Sequence, residues 1–145
     1  MAPDTDFPLQ HFLDAQERDY PRALEEIRNG EKQSHWIWYI FPQLAGLGRS
    51  EMAQRYALRS LEHARRYHAH PVLGARLRAI STALLAHEGA DIATILPYPD
   101  DLKLQSSMTL FAIATDEKDS VFLEVLDAFY RGDQDLQTRR LLGLA

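Results

Sequence analysis

The sequence contains no cysteine. That excludes disulfides, thiolate catalysis and cysteine-ligated zinc. It also lacks a long apolar run: the longest, Trp36 to Phe41, falls far short of the roughly 20 residues a membrane-spanning helix needs. The opening "MAPDTDFPLQ" is acidic and has neither a basic region nor an apolar one, so no secretory signal is read there. Positive charge is in the minority, with 16 Lys and Arg against 21 Asp and Glu and a net charge of −5. Such a chain repels nucleic acid and anionic membranes, so neither is expected as a partner. The one dense basic group, Arg55, Arg59, Arg65 and Arg66, is interrupted by Glu51 and Glu62 and reads as a solvated helix face. Metal-ligand spacing is missing as well: His68-x-His70 straddles a predicted helix end, and no histidine pair lies four residues apart. No metal or cofactor is expected, and the expected location is the cytoplasm.

What is present is a chain of 145 residues, 46% hydrophobic and 26% charged, which fits a single domain over residues 1–145 with residues 1–6 as a flexible tail. Strand alternation is absent and the prevailing period is helical. The pattern predicts a compact all-α, multihelical array of seven or eight short helices. A first helix covers Leu9 to Arg18, a second begins at Pro21, and Asn29-Gly30 ends it. Ser50 caps a helix running to about His68, and His70-Pro71 breaks it. Further helices follow from Pro71, from Asp101 to Ala114, after Asp119 or Ser120, and over "DLQTRRLLGL". "PYPDD" is the clearest loop, and Trp36 to Phe41 is apolar whichever way it is wound.

The residues that could carry chemistry concentrate in "SHWIWYIFPQLAGLGRS", residues 34–50. Gly46 and Gly48 permit positive φ, and successive N–H groups in such a turn can converge on an anion. Ser50 begins a helix whose positive end points the same way, and Arg49 adds a fork of donors. The segment is neither a P-loop nor a dinucleotide fingerprint, since the further lysine or third glycine is missing. Trp36, Trp38, Tyr39 and Phe41 supply either the core or a stacking wall. In the mixed arrangement Trp38 and Phe41 point inward, and Trp36 with His35 stands at a pocket rim. His35 is the candidate general acid or base by residue type. Gln43 offers a donor and an acceptor for a polar ligand edge. Lys103 and Ser106 share a helix face, but their order reverses that of a Ser-x-x-Lys nucleophile, so they are read as anion contact and packing.

The run "SHWIWYIFPQLAGLGRS", Tyr56-Ala57, "HPVLGARL" from His70 and "DDLKLQSSMTLF" from Asp100 resembles the domain-of-unknown-function 1810 family. Ala15-Gln16, the Tyr20–Leu24 segment and the closing "DLQT" fit it too. Members are bacterial and some fungal proteins, sometimes labelled calpastatin; this sequence has none of the disordered, repeated character of that inhibitor. The resemblance implies one mainly helical domain and supplies neither an activity nor catalytic residues. The residues alone support a small phosphate-bearing or nucleotide-like ligand held by Trp36, Gln43, Gly46, Gly48, Arg49, Ser50, Lys103 and Ser106, with His35 as any acid or base. They also fit an interaction or accessory module that uses the aromatic segment as an interface and catalyses nothing. Whether the chain is an enzyme, and its oligomeric state, stay open at this point.

Overall fold

Four helices begin on a side-chain cap, and these set the frame. The Ser50 hydroxyl accepts the Ala53 N–H at 3.1 Å, Ser60 that of His63 at 3.1 Å, Asp91 that of Ala93 at 3.0 Å and Asp135 that of Thr138 at 2.9 Å. Each satisfies an amide that a helix start leaves unpaired. The computed structural model describes residues 7–144; the tail expected at residues 1–6 lies outside the described residues. The described residues form nine helices: α1 (Gln10–Arg28), α2 (Ile37–Ile40), α3 (Glu51–Arg55), α4 (Leu61–Ala69), α5 (Leu73–Leu85), α6 (Ile92–Ile95), α7 (Asp100–Ala114), α8 (Ser120–Tyr130) and α9 (Leu136–Leu141). They contain no strand, only an isolated parallel bridge between Leu44 and Leu58. None of these helices is long and apolar enough to cross a membrane.

The fold class follows the hydrophobic period, but two boundaries move. Pro21 does not start a helix; it sits inside a continuous α1. Pro21 and Glu17, whose carbonyl loses its helical partner there, are both on the exposed side, open to solvent. The helix expected from Ser50 to His68 is interrupted at Tyr56. Leu58 donates its N–H to the Gln43 carbonyl at 2.9 Å and accepts that of Ala45 at 2.8 Å, and Ser60 then starts α4 afresh.

Helix α7 is the axis of the molecule. It is buried nearly all round, with Leu104, Met108, Leu110, Phe111 and Ala112 in the core, and it packs against α4, α8 and α9. A helix without a polar face needs neighbours on every side. Its buried Thr109 hydroxyl bonds the Gln105 carbonyl at 2.8 Å and accepts the Asp135 N–H at 2.9 Å, which ties α9 to it. A chain of rings links the layers: Phe12 meets Tyr67 edge-on at 5.1 Å, Tyr67 meets Phe111 at 5.4 Å, and Phe111 meets Phe122 at 5.7 Å. Gln16, fully buried on α1, donates to the Tyr39 carbonyl at 2.7 Å and to the Tyr67 hydroxyl at 2.8 Å. That places the aromatic segment against α1 and α4.

Candidate functional site

The stretch after α1 is organised by one carboxylate. Glu26 Oε1 accepts the N–H groups of Gln33 (2.8 Å) and Ser34 (3.0 Å) and the indole N–H of Trp36 (2.9 Å), while Oε2 accepts the Ser34 hydroxyl at 2.7 Å. Burial pushes the Glu26 pKa up, but the Ser34 hydroxyl and the N–H donors outweigh it and hold the group at about 2. The far end of the loop is pinned by the Lys32 N–H, which bonds the Ile95 carbonyl at 2.8 Å.

This arrangement reverses the expected placing of the two tryptophans. Trp36 is wholly buried, its indole satisfied by Glu26 and its face covered by the Lys32 ammonium 5.1 Å away. It forms part of the core and cannot stack on a ligand. Trp38 is the partly exposed one. Its indole N–H is buried without an acceptor in the protein, and the Lys103 ammonium lies 5.3 Å above its ring. A buried donor left unpaired is uncommon.

Trp38 lines a cleft of about 320 Å3 between the Lys32–Trp38 segment and Pro97–Asp100. Ser34, His35 and Ile37 share its first wall, and Tyr98, 75% exposed, stands on the other. Asp100 joins the two sides: its Oδ2 lies 2.9 Å from Lys32 Nζ and its Oδ1 3.7 Å from Lys103 Nζ. The Lys32–Asp100 pair is largely shielded from water, which fixes the cleft's width more firmly than a surface pair would. The lining carries one ammonium, Lys32, and one carboxylate, Asp100; Lys103 contacts Asp100 and Trp38 without lining the cleft. The His35 side chain is exposed at the cleft, and its carbonyl accepts from the Tyr39 hydroxyl at 3.2 Å. Tyr39 itself donates to Asp19; burial and that carboxylate push its pKa up to about 12, so it stays a donor at neutral pH.

The glycine turn is not part of this cleft, and none of the five clefts described is lined by residues 46–50. Gly46 does take positive φ (+101°), but a Cβ there would face the Leu141 side chain of α9 at 3.4 Å. Gly48 is needed for space, since its Cβ would lie 2.5 Å from that of Ala53. The turn is closed by packing. Arg49 is exposed, and its carbonyl accepts from Gln54 Nε2 at 2.7 Å. Ser50 caps α3, which at five residues has little dipole to offer. Gln43 is half-buried, and its carbonyl is taken by Leu58. Ser106 is buried and donates to the Leu102 carbonyl at 3.1 Å, which leaves no hydroxyl for a ligand. Of the nine residues singled out, His35 lies at the cleft and Lys103 against the ring of its tryptophan. Lys32, Trp38, Tyr98 and Asp100 complete it. The Lys32–Asp100 contact joins residues far apart in sequence, and no local spacing announces it.

A family model described as "Protein of unknown function (DUF1810)" matches residues 6–142. The chain is also similar to a solved structure, the conserved hypothetical protein Rv1873 from Mycobacterium tuberculosis. The two share 44% sequence identity, the alignment covers 97% of this chain and 99% of that one, and the TM-score is 0.92. No curated protein matches.

Proposed function

The chain belongs to the DUF1810 family, and from the geometry of its cleft we propose that it binds a small, ring-bearing ligand of nucleotide type between Trp38 and Tyr98. The observation that carries this reading is the Trp38 indole N–H, a buried donor with no acceptor inside the protein, on a residue that lines the cleft. That N–H is closed to solvent, so a ligand acceptor reaches it only as the Trp38 ring turns toward the cleft, and the bond then gained offsets a cost of about 1–3 kcal/mol. Tyr98 offers a face for a base, Ser34 and His35 offer polar edges, and Lys32 in the lining, with Lys103 near Trp38, supplies ammonium groups for an anionic substituent. Binding needs no chemistry, and His35 is the imidazole that the cleft offers a ligand as donor or acceptor.

An interface formed by the aromatic segment has less support. Trp36, Ile37, Tyr39, Ile40 and Phe41 are all buried, and Trp38 alone of the segment's rings is partly exposed. The test is a thermal-shift panel of nucleosides and nucleotides on wild type, Tyr98→Ala and Arg49→Ala. A ligand at 100 times its Kd stabilises by about 2.7 kcal/mol. The expected outcome is a rise in Tm for wild type and Arg49→Ala and a smaller one for Tyr98→Ala. A panel without any shift contradicts the proposal.

A further inference from the structure

A second cleft, of about 520 Å3, shares no lining residue with the first. Its walls are Arg65 and His68 of α4, Arg78 of α5, Ala114 and Thr115 at the end of α7, and Lys118 and Asp119 at the entry to α8. Three full positive charges and one carboxylate line it, with a second carboxylate, the exposed Asp116, at its edge, in a chain whose net charge is −5. We infer that this cleft is a binding site for a small phosphate-bearing anion.

Two of the cations, Arg65 and Arg78, are tethered. Arg65 donates from Nε to the Ala114 carbonyl at 3.0 Å, which orients the guanidinium and leaves its terminal nitrogens for other partners. One of these lies 3.8 Å from the exposed Asp116 carboxylate, a contact that water screens heavily. Asp119 Oδ2 lies 2.9 Å from His68 Nε2 and 3.9 Å from Arg78 Nη1, and the two bases are themselves 3.4 Å apart. A single oxygen therefore serves both His68 and Arg78. Lys118 is exposed and makes no ion pair among the described residues. The turn after α7 brings it here. Asp116 and Glu117 take φ of +53° and +60°, and the Glu117 N–H closes on the Ala112 carbonyl at 2.8 Å. That left-handed reversal folds Lys118 and Asp119 back against α4 and α5.

A phosphate matches this set. Its three oxygens suit two guanidinium forks and an ammonium, and its double charge answers their excess. The volume lies within the roughly 300–1,000 Å3 of small-molecule sites, so the cleft accommodates a phosphomonoester with its organic part along Ala114 and Thr115. Asp119 lies among these cations and repels an incoming anion. Asp119→Asn keeps an acceptor for His68 and removes that repulsion, so the two kinds of variant move affinity in opposite directions.

The test is calorimetric titration with inorganic pyrophosphate at constant ionic strength set by sodium chloride. Saturable binding is expected in wild type. Lys118→Gln, which alters only an exposed side chain, weakens it, and Lys118→Gln with Arg78→Gln weakens it by about tenfold or more. Asp119→Asn strengthens it. In nitrogen–proton correlation spectra of the same titration the Trp38 indole resonance stays unmoved, which separates this cleft from the first. Absence of saturable binding in wild type, or an affinity unchanged in the double variant, overturns the inference.

Discussion

Trp36 donates its indole N–H to Glu26 Oε1 at 2.9 Å, and that bond decides which tryptophan is structural. Glu26 also holds the backbone of Gln33 and Ser34, so the loop that presents His35 and Trp38 to the cleft is gathered on a residue of α1. The site's shape therefore depends on a carboxylate that never faces the ligand.

Glu26→Gln replaces an acceptor-only group with one whose amide confronts the Ser34, Gln33 and Trp36 donors. The expected loss is about 2–3 kcal/mol of stability, read from urea unfolding. In wild type the folded pKa of about 2 lies below the ordinary 4.5. The carboxylate's contribution, roughly 3 kcal/mol, is thus complete above pH 4.5 and disappears as pH falls through about 2. An acid-unfolding curve of Glu26→Gln lacks that component.

The two tryptophans respond differently to the same change. Trp36→Phe opens space in the core and strips Glu26 of a donor, at a cost of about 2–4 kcal/mol. Trp38→Phe removes a donor that had no acceptor, so its cost is smaller, below about 1.5 kcal/mol. Ligand-induced stabilisation moves the other way: it survives in any folded Trp36 variant and falls in Trp38→Phe. Unfolding curves with and without ligand read both effects.

Two histidines make the fold sensitive to mild acid. His63 accepts the Arg59 N–H at Nδ1 (2.9 Å), and its Nε2 faces the Pro8 carbonyl (2.8 Å), which is the neutral tautomer's pattern. Burial lowers the pKa of His63, and burial followed by His63 itself lowers that of His11. Both folded pKa values lie below the ordinary 6.5, so the unfolded chain takes up protons first. The stability these rings contribute is complete above pH 6.5 and is lost as pH falls through the folded values. The urea midpoint is expected to drop between about pH 7.5 and about pH 5, and to drop less in His63→Gln, which cannot titrate.

Gly74 sits inside α5, where alanine would ordinarily gain about 1 kcal/mol of helix propensity. Its Cβ would lie 2.0 Å from the His68 carbonyl oxygen, so α4 and α5 would have to separate. Gly74→Ala is expected to destabilise by about 2 kcal/mol or more in chemical unfolding.

The helices were legible because their signals are local. Ser50 and the "NG" at Asn29-Gly30 act within a few residues, and both mark real helix ends. Pro21 and Tyr56 misled because their outcome depends on surroundings: solvent beside one, and the Leu44–Leu58 bridge beside the other. The site was legible as a neighbourhood but not as a geometry. Residues 34–38 do line a cleft, yet which tryptophan faces it depends on Glu26, and its second wall comes from "PYPDD", read only as a loop. The glycine turn carried the right residue types for an anion, but Leu141 and Ala53, distant or ordinary in sequence, lie against it.

The most direct measurement is a nitrogen–proton correlation spectrum followed during nucleotide titration. The chain has two tryptophans and so two indole N–H signals, one bonded to Glu26 and one without an acceptor. The account predicts that the Trp38 signal shifts downfield saturably while the Trp36 signal stays fixed. Saturable nucleotide binding that leaves the Trp38 signal in place, or no saturable shift with any nucleotide, contradicts it.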